Sequence, residues 1–251
     1  MDNVRSFQKE CFAKYLTDIR SEVSVIPEEY VYPDGNPIRP VLPIQKAPCH
    51  TMIISAFPSA RLENRHGVLI PIADDLAPFA EQLYFDGVRV RPQTSREALN
   101  EDYFPQLGIK PEEIWITDLV KIFLMSEDHC ENCLQIAPQR TFVNTRDHFK
   151  EIAKCPGNIK WISREIEVCN PKLIITLGEV PARVLTADEK TDNKLLLDGN
   201  INEKPVLGEK RSIAHLAHPE ICRRNNDWKM RTQEAISRLA EQKREMMEKT
   251  N

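Results

Sequence analysis

Several features that mark other classes of protein are missing from this 251-residue sequence. It has no apolar run of about 18 residues, so we expect no membrane-spanning helix. The start, MDNVRSFQKE, is charged throughout and lacks the apolar core of a secretory signal peptide. There is no internal repeat and no low-complexity tract. We therefore expect a globular protein of the cytoplasm.

An excess of positive charge is also missing. The chain has 34 Lys and Arg residues against 38 Asp and Glu residues, and its formal net charge is −4. A protein that coats nucleic acid strongly and without specificity would be basic overall. Any contact with DNA must therefore come from a local cationic patch.

A disulfide framework is not expected, because the seven cysteines are odd in number and no export signal accompanies them. Cys130 and Cys133 form a CxxC pair in HCENC, and Cys155 lies in the turn CPG. This spacing is compatible with a metal site and also with reduced thiols that bind nothing. The candidates for a fourth ligand are Cys11, His129, His148 and Cys49.

Four short apolar runs predict the strands of one central sheet. The composition, 41% hydrophobic and 29% charged, is that of a globular domain, and we treat residues 1–251 as one domain. Runs that are apolar almost throughout are typical of strands buried on both faces, as in a parallel sheet. The runs are MIISAF (52–57), IWITDLV (114–120), LIITLG (173–178) and SIAHLA (212–217).

Helical patterns separate these runs. We predict one helix over 77–87, which stops at Gly87, and another over 158–171, which Pro171 ends. Flanking helices are expected over 1–20, within an N-terminal extension of about 1–48, and over about 227–249 at the C-terminal end. The alternation of strand and helix implies a three-layer α/β/α fold with a central four-stranded parallel sheet.

Unusual polar residues occur where three of the predicted strands end, and ligands of such folds bind beyond the carboxyl ends of the strands. After the fourth strand, His218 precedes Pro219, and a neutral imidazole there could donate to a carbonyl group or an oxyanion. Arg223 and Arg224 follow and would suit phosphates. An ordinary solvated turn is the alternative.

Carboxylates accompany the first and second strands. Asp74 and Asp75 could orient a water molecule, with Phe79 nearby to stack on a flat base. The alternative is that one of them caps a helix. Asp118 lies inside an apolar strand, where a charge is costly unless it is paired or functional. Asp118 could form a structural ion pair with Lys121, or it could bind a ligand, and the sequence leaves both alternatives.

Four segments resemble, in order, the uracil-DNA glycosylase superfamily: EEIWITDLVKIFL, EIAKC, CNPKLIITLGEVPARVL and AHPEICRR. The resemblance covers roughly residues 50 to 225 and is closest to the bacterial and archaeal iron–sulfur branches. It implies a sheet that holds a nucleotide flipped out of single- or double-stranded DNA. It also implies base-excision repair chemistry, in which water cleaves the bond between base and sugar.

The resemblance implies roles for single residues. His218 would donate to the developing oxyanion of the base, and Asp74, or else Asp75, would align the water and stabilise the sugar cation. The residues implied to bind the base are Phe79, Asp118 and Phe57. The residues implied to bind DNA are Arg61, Arg223, Arg224 and Ile221, the last as a wedge in the base stack.

The sequence departs from the family at two of these places. Ala56 stands where many members have an acid, and one branch instead uses an aspartate some 15 residues downstream, which points to Asp74. Asp118 stands where the family has an asparagine that reads uracil through its amide. An ionised carboxylate only accepts hydrogen bonds. Either the substrate is a base with an exocyclic amine, or Asp118 is protonated, or activity is lost.

The metal site departs as well, because the iron–sulfur branches carry a CxxC near the N-terminus, where this chain has only Cys11. If Cys11, Cys130, Cys133 and Cys155 converge, they would hold a [4Fe–4S] cluster or zinc. Three functions remain open: a DNA glycosylase, a catalytically silent module that binds nucleic acid or a nucleotide, and a metal-stabilised interaction protein.

Overall fold

The computed structural model describes residues 2–80, 83–85, 88–92 and 94–248. The strands are β1 (Thr51–Ser55), β2 (Ala60–Arg65), β3 (Val68–Asp74), β4 (Leu83–Phe85), β5 (Val90–Pro92), β6 (Ile114–Asp118), β7 (Leu173–Leu177), β8 (Asn202–Val206) and β9 (Glu209–Leu216). The helices are α1 (Asp2–Arg20), α2 (Thr94–Ala98), α3 (Phe104–Leu107), α4 (Glu127–Ile136), α5 (Phe149–Lys154), α6 (Pro156–Cys169), α7 (Glu179–Thr186), α8 (Asn193–Leu196), α9 (Pro219–Arg224) and α10 (Asn226–Glu248). A π-helical turn, Leu99–Tyr103, joins α2 to α3.

A mostly parallel sheet of five strands forms the centre of the fold, in the order β6–β1–β7–β9–β8. β1 pairs with β7 in parallel, and β7 pairs with β9 in parallel, so that Ile53 lies opposite Ile175 and Ile175 opposite Ala214. Every residue of β1, β6 and β7 is buried, as their apolar sequences predicted. The four predicted strands and the α/β/α class are confirmed.

The fifth strand, β8, was not predicted. It pairs antiparallel with β9 at the edge of the sheet and exposes most of its residues. Its sequence, NEKPV, is polar and contains Pro205, which an edge strand tolerates because one side of its backbone needs no partner strand. An apolar pattern therefore could not reveal it.

The contacts within the chain group into two compact units. The first, here called the hairpin unit, comprises the described residues of 1–44, 57–93 and 118–165. The second, here called the sheet unit, comprises those of 45–56, 94–117 and 166–251. A single domain over 1–251 stays a prediction.

Apolar side chains of α1 and of the segment that follows it belong to the core of the hairpin unit. Phe7, Cys11, Tyr15 and Ile19 recur at helical spacing on α1 and are all fully buried. After α1, Tyr30 and Tyr32 lie in an extended segment, and both rings are buried. The predicted N-terminal extension is thus part of a core.

Strands β2 and β3 form a hairpin that the sequence analysis did not predict. The turn residues His66 and Gly67 have φ of 53° and 86°, the backbone of a two-residue type I′ turn. The predicted helix over 77–87 is wrong, because 77–80 form turns and 83–85 form β4. Its predicted end at Gly87 lies outside the described residues.

The other helix predictions are confirmed. The helix predicted over 158–171 is α6, the one over 1–20 is α1 within the described residues, and the C-terminal one is α10, with residue 249 outside them. In the sheet unit, α10 buries Ala235, Ile236 and Leu239. No helix in the described part of the chain is long and apolar enough to cross a membrane.

Candidate functional site

The two adjacent aspartates at the end of β3 differ in their surroundings. Asp75 is buried, and the hydroxyl of Ser59 donates to its Oδ2 at 2.7 Å. The alternative that either aspartate caps a helix is wrong, because 76–80, 83–85 and 88–92 contain none.

Asp74 is tied to the extended N-terminal segment. The Tyr32 hydroxyl donates to its Oδ1 at 2.8 Å, and the backbone N–H of Arg39 donates to both of its carboxylate oxygens at 3.2 Å. Burial raises the pKa of Asp74, and these hydrogen bonds oppose the rise. Arg61, which is exposed, donates from Nε to the Asp74 carbonyl at 3.0 Å. Asp74 is thus hydrogen-bonded to the N-terminal segment, and the catalytic role of Asp74, or else of Asp75, stays a prediction.

Asp118 ends β6 with a carboxyl group that is almost completely buried. Its Oδ2 has no hydrogen-bond partner among the residues that the structure describes. Burial is the main cause that raises the pKa of Asp118 to about 7; the Lys121 ammonium lowers it, and the carboxylates of Asp75 and Glu165 add to the rise. Asp75 and Asp118, both selected from the sequence, are thus close enough to interact electrostatically.

The buried ion pair of Lys121 is formed with Glu165 of α6, and both side chains are fully buried. The Lys121 ammonium also donates to the backbone carbonyl of Asp118. Lys121 therefore forms its structural ion pair with Glu165. Its contact with Asp118 is to the backbone carbonyl of that residue. Sequence reasoning missed Glu165, because 44 positions separate the partners and an acid on a helix has no distinctive pattern.

The two predicted aromatic residues also lie in the hairpin unit. Phe79 is half-buried and has a φ of 52°, a left-handed conformation that is strained for a bulky side chain. Such strain is found where a site holds a side chain in a required position. The ring of Phe57 packs edge-on against Phe149, with ring centres 5.0 Å apart, and the Arg146 guanidinium lies 5.5 Å from its centre. Phe79 is thus the stronger stacking candidate.

His218, in the sheet unit, caps the N-terminus of α9. Its Nδ1 accepts a hydrogen bond from the backbone N–H of Glu220 at 3.2 Å. Burial lowers the pKa of His218 to about 4, although Glu220 acts to raise it. The imidazole is therefore neutral near pH 7, and since Nδ1 accepts, Nε2 carries the proton. The structure thus fixes a neutral N–H donor at the end of β9.

Gly178 lies beside His218, and Tyr103 bonds the backbone that precedes it. Gly178 follows β7 with a φ of 97°, and a Cβ atom there would meet the Cβ of His218 at 3.6 Å. The buried Tyr103 donates from its hydroxyl to the carbonyl of Ala217, the residue before His218, at 2.9 Å. Tyr103 ends the π-helical turn, a feature that is frequent at functional sites. No sequence signal identified Tyr103, which lies 114 positions from Ala217.

The cationic run of α9 is internally neutralised. Glu220 Oε1 lies 2.7 Å from a guanidinium nitrogen of Arg223 and 2.7 Å from one of Arg224. On the same helix, the Ile221 side chain is 41% exposed, as its predicted role as a wedge requires. The predicted phosphate-binding residues are thus placed together, with an acid between them.

The four predicted metal ligands are all buried in the hairpin unit, on α1 (Cys11), on α4 (Cys130 and Cys133) and between α5 and α6 (Cys155). Burial raises the pKa of Cys11 and of Cys133 to about 12. Within the described residues, no three Cys, His, Asp or Glu side chains are grouped to hold a metal ion.

This arrangement does not fit an iron–sulfur cluster or zinc. Two of the suggested fourth ligands are engaged elsewhere: His129 accepts from Ser126 N–H at 3.4 Å in the cap of α4, and His148 lies 3.0 Å from Glu151. A metal centre stays a prediction, which iron and zinc analysis of anaerobically purified protein tests.

The fold is that of an α/β protein in which Asp118 ends one strand of the central sheet and His218 follows another, and such folds bind ligands beyond strand ends. The model of the Uracil DNA glycosylase superfamily matches residues 46–241, most of the chain. The chain therefore belongs to that superfamily, as its four similar segments indicated. No curated protein matches the chain. Membership of an iron–sulfur branch stays a prediction.

Proposed function

We propose that this protein is a monofunctional DNA glycosylase that hydrolyses the N-glycosidic bond of a flipped, deaminated or damaged base. Membership of the superfamily supports the proposal. The observation that carries it is the hydrogen bond that the Glu220 N–H donates to His218 Nδ1, which leaves the proton of the neutral ring on Nε2. The glycosidic bond is inaccessible in stacked DNA, which is why the nucleotide must be extruded.

In this mechanism the bond between C1′ and the base nitrogen breaks and its electrons pass to the base. Negative charge then accumulates on a carbonyl oxygen of the base, and His218 Nε2–H donates a hydrogen bond to that oxygen. A fixed neutral donor stabilises the developing charge without reorganising in the transition state, an effect worth about 10²–10³ in rate.

Asp75 is the carboxylate assigned to the sugar. Its negative charge would stabilise the cation that develops at C1′, and it would orient the water whose oxygen attacks that carbon and whose proton it accepts. We assign this role to Asp75 rather than Asp74 because Asp75 acts electrostatically on Asp118, whereas Tyr32 and Arg39 join the Asp74 carboxylate to the N-terminal segment.

The remaining residues would act on the DNA. Phe79 would stack on the extruded base, and Ile221 would occupy the space that the base leaves in the stack. Arg223 and Arg224 would exchange their partner Glu220 for backbone phosphates.

A panel of single-stranded and duplex oligonucleotides, each with one modified base, tests the proposal through abasic-site formation. We expect wild-type protein to release at least one deaminated or damaged base, and the His218→Ala variant to bind the same DNA with little release. Binding without release by the wild-type protein for every base would contradict the proposal.

A catalytically silent nucleic-acid-binding module is the second candidate. The engagement of Asp74 by Tyr32 and Arg39 favours it, because the resemblance assigned the catalytic carboxylate to Asp74 first. The same panel separates the two candidates, since a silent module binds DNA and yields no abasic sites.

A further inference from the structure

We propose that Asp118 reads the flipped base as a neutral carboxylic acid, so that the site takes a base edge with one donor beside one acceptor, such as the lactam edge of a deaminated base. One carboxyl oxygen would donate to the base and the other would accept from it. The inference rests on the proposed function and deepens it, because it names the chemical class of the substrate and the residue that selects it.

The first support is the unpartnered oxygen of Asp118. The residue is 1% exposed, and its Oδ2 has no hydrogen-bond partner in the described part of the chain. A buried polar atom without a partner costs folding free energy, so folded proteins rarely keep one unless it has a task. A ligand that supplies the partner would recover that free energy on binding.

The second support is the charge around Asp118, which comes from three different elements. Asp75 follows β3, Lys121 follows β6, and Glu165 belongs to α6. The ammonium of Lys121 is paired with Glu165 and also bonds the backbone carbonyl of Asp118. Because Glu165 already neutralises the Lys121 cation, the negative charge of Asp118 would be poorly compensated. The nearby Asp75 makes ionisation of Asp118 still less favourable.

Burial acts in the same direction, because removal from water disfavours the charged form of a carboxyl group. The resulting pKa of Asp118, about 7, leaves the acid largely protonated in mildly acidic solution. Geometry and charge thus agree that the group can keep its proton.

The two protonation states recognise different base edges. A neutral carboxyl group carries one O–H donor and one acceptor, and so complements an edge such as the N3–H and O4 of uracil. A carboxylate carries acceptors only, so it repels O4 and instead suits an edge with two donors. The protonation of Asp118 would therefore decide which bases are accepted.

A non-hydrolysable substrate analogue tests this separately from catalysis. The probe is a duplex with one 2′-fluoro-2′-deoxyuridine, whose fluorine opposes positive charge at C1′, and the reference is the same duplex with an ordinary base pair. The ratio of the two affinities is measured from about pH 5.5 to about pH 8.5 for wild type, Asp118→Asn and Asp118→Leu. Circular dichroism shows that each variant is folded.

For the wild-type protein we expect the preference for the probe to fall by up to ~10-fold per pH unit above about pH 7, as one lost proton requires. The Asn amide keeps a donor and an acceptor at every pH. The Asp118→Asn variant should therefore prefer the probe over the reference duplex equally at all pH values. Asp118→Leu should lose this preference throughout.

A wild-type preference that is absent, constant or rising with pH would overturn the inference, as would loss of the preference in Asp118→Asn. Release of base from ordinary deoxyuridine, followed in parallel, decides the proposed function on its own. A protein that binds the probe as expected and releases no base would keep the inference and refute the proposed catalysis.

Discussion

The segment around His218 and the carboxyl cluster around Asp118 handle buried polar groups differently. At His218 the chain supplies the partners itself: Glu220 N–H to the imidazole, Tyr103 to the preceding carbonyl, and Glu220 to two arginines. At Asp118 a buried oxygen is left without a described partner, beside a second aspartate. The first arrangement fixes one hydrogen-bond donor, whereas the second can change its protonation and thus what it recognises.

The largest expected effect is that of removing the fixed donor. His218→Ala should lower the single-turnover rate of base release by about 10³, because the developing negative charge loses its hydrogen bond. Affinity for the fluorinated duplex should change only a few-fold. A variant that releases base within tenfold of the wild-type rate would show that the donor is another group.

The two adjacent aspartates give a matched pair. Asp75→Asn should lower base release by about 10², since it removes the proposed charge beside C1′. Asp74→Asn should act mainly on stability, because it weakens the acceptor of Tyr32 and Arg39. Rates and urea unfolding of both variants decide the assignment, and a reversed order would move the catalytic role to Asp74.

Asp118 should also control how stability depends on pH. Its pKa is raised from an ordinary value near 3.8 to about 7, so between these values the folded state binds more protons than the unfolded state. Stability from this group is therefore present at low pH and lost as pH rises through about 7. At pH 8, Asp118→Asn should be more stable than wild type by about 4 kcal/mol, since the shift spans about three pKa units and each is worth about 1.4 kcal/mol.

Urea unfolding at pH 5 and pH 8 measures this effect, and the gain should shrink at pH 5. An equal gain at both pH values would mean that the carboxyl group stays ionised in the folded protein.

Tyr103→Phe should disturb the fixed donor indirectly. It leaves the buried Ala217 carbonyl without the hydroxyl, which should cost about 1–3 kcal/mol of stability. Because Tyr103 acts as a positioning residue, Tyr103→Phe should lower kcat for base release by about 10-fold and change KM little. Tyr30→Phe is the control, because its hydroxyl also bonds a carbonyl, that of Phe123. Equal losses of rate in both variants would remove the positioning role.

The smallest expected effect concerns the internally neutralised cations. Glu220→Gln should strengthen DNA binding a few-fold at low salt and steepen its salt dependence, because Arg223 and Arg224 lose their acid. Asp227→Asn, which frees Arg231 on α10, is the control. Equal effects of the two substitutions would indicate a general change of charge rather than a contact through α9.

The central sheet could be predicted because its strands are apolar almost throughout, and buried parallel strands need that composition. β2 and β8 could not, since their sequences mix polar and apolar residues as edge and two-stranded structures allow. β3, VLIPIAD, is an apolar run, but the proline in its middle argues against a strand inside a sheet. The failure at 77–87 has a similar cause, because a short strand carries too few residues to display a period.

Residues of the candidate site could be predicted from the sequence only where a single residue stands out from its neighbours. Asp118 in an apolar strand and His218 before Pro219 are such residues. Tyr103 and Glu165 were not accessible, because their roles come from contacts made by folding, with Ala217 and Lys121. The choice between Asp74 and Asp75 also needed the hydrogen bonds of Tyr32 and Ser59.

The most direct measurement is mass spectrometry of free base after wild-type protein is incubated at about pH 6 with duplexes that each contain one uracil, hypoxanthine or xanthine. We expect release of at least one of these lactam bases, and none with His218→Ala. If the wild-type protein binds all three duplexes and every base stays attached, this chain is not a glycosylase for deaminated bases.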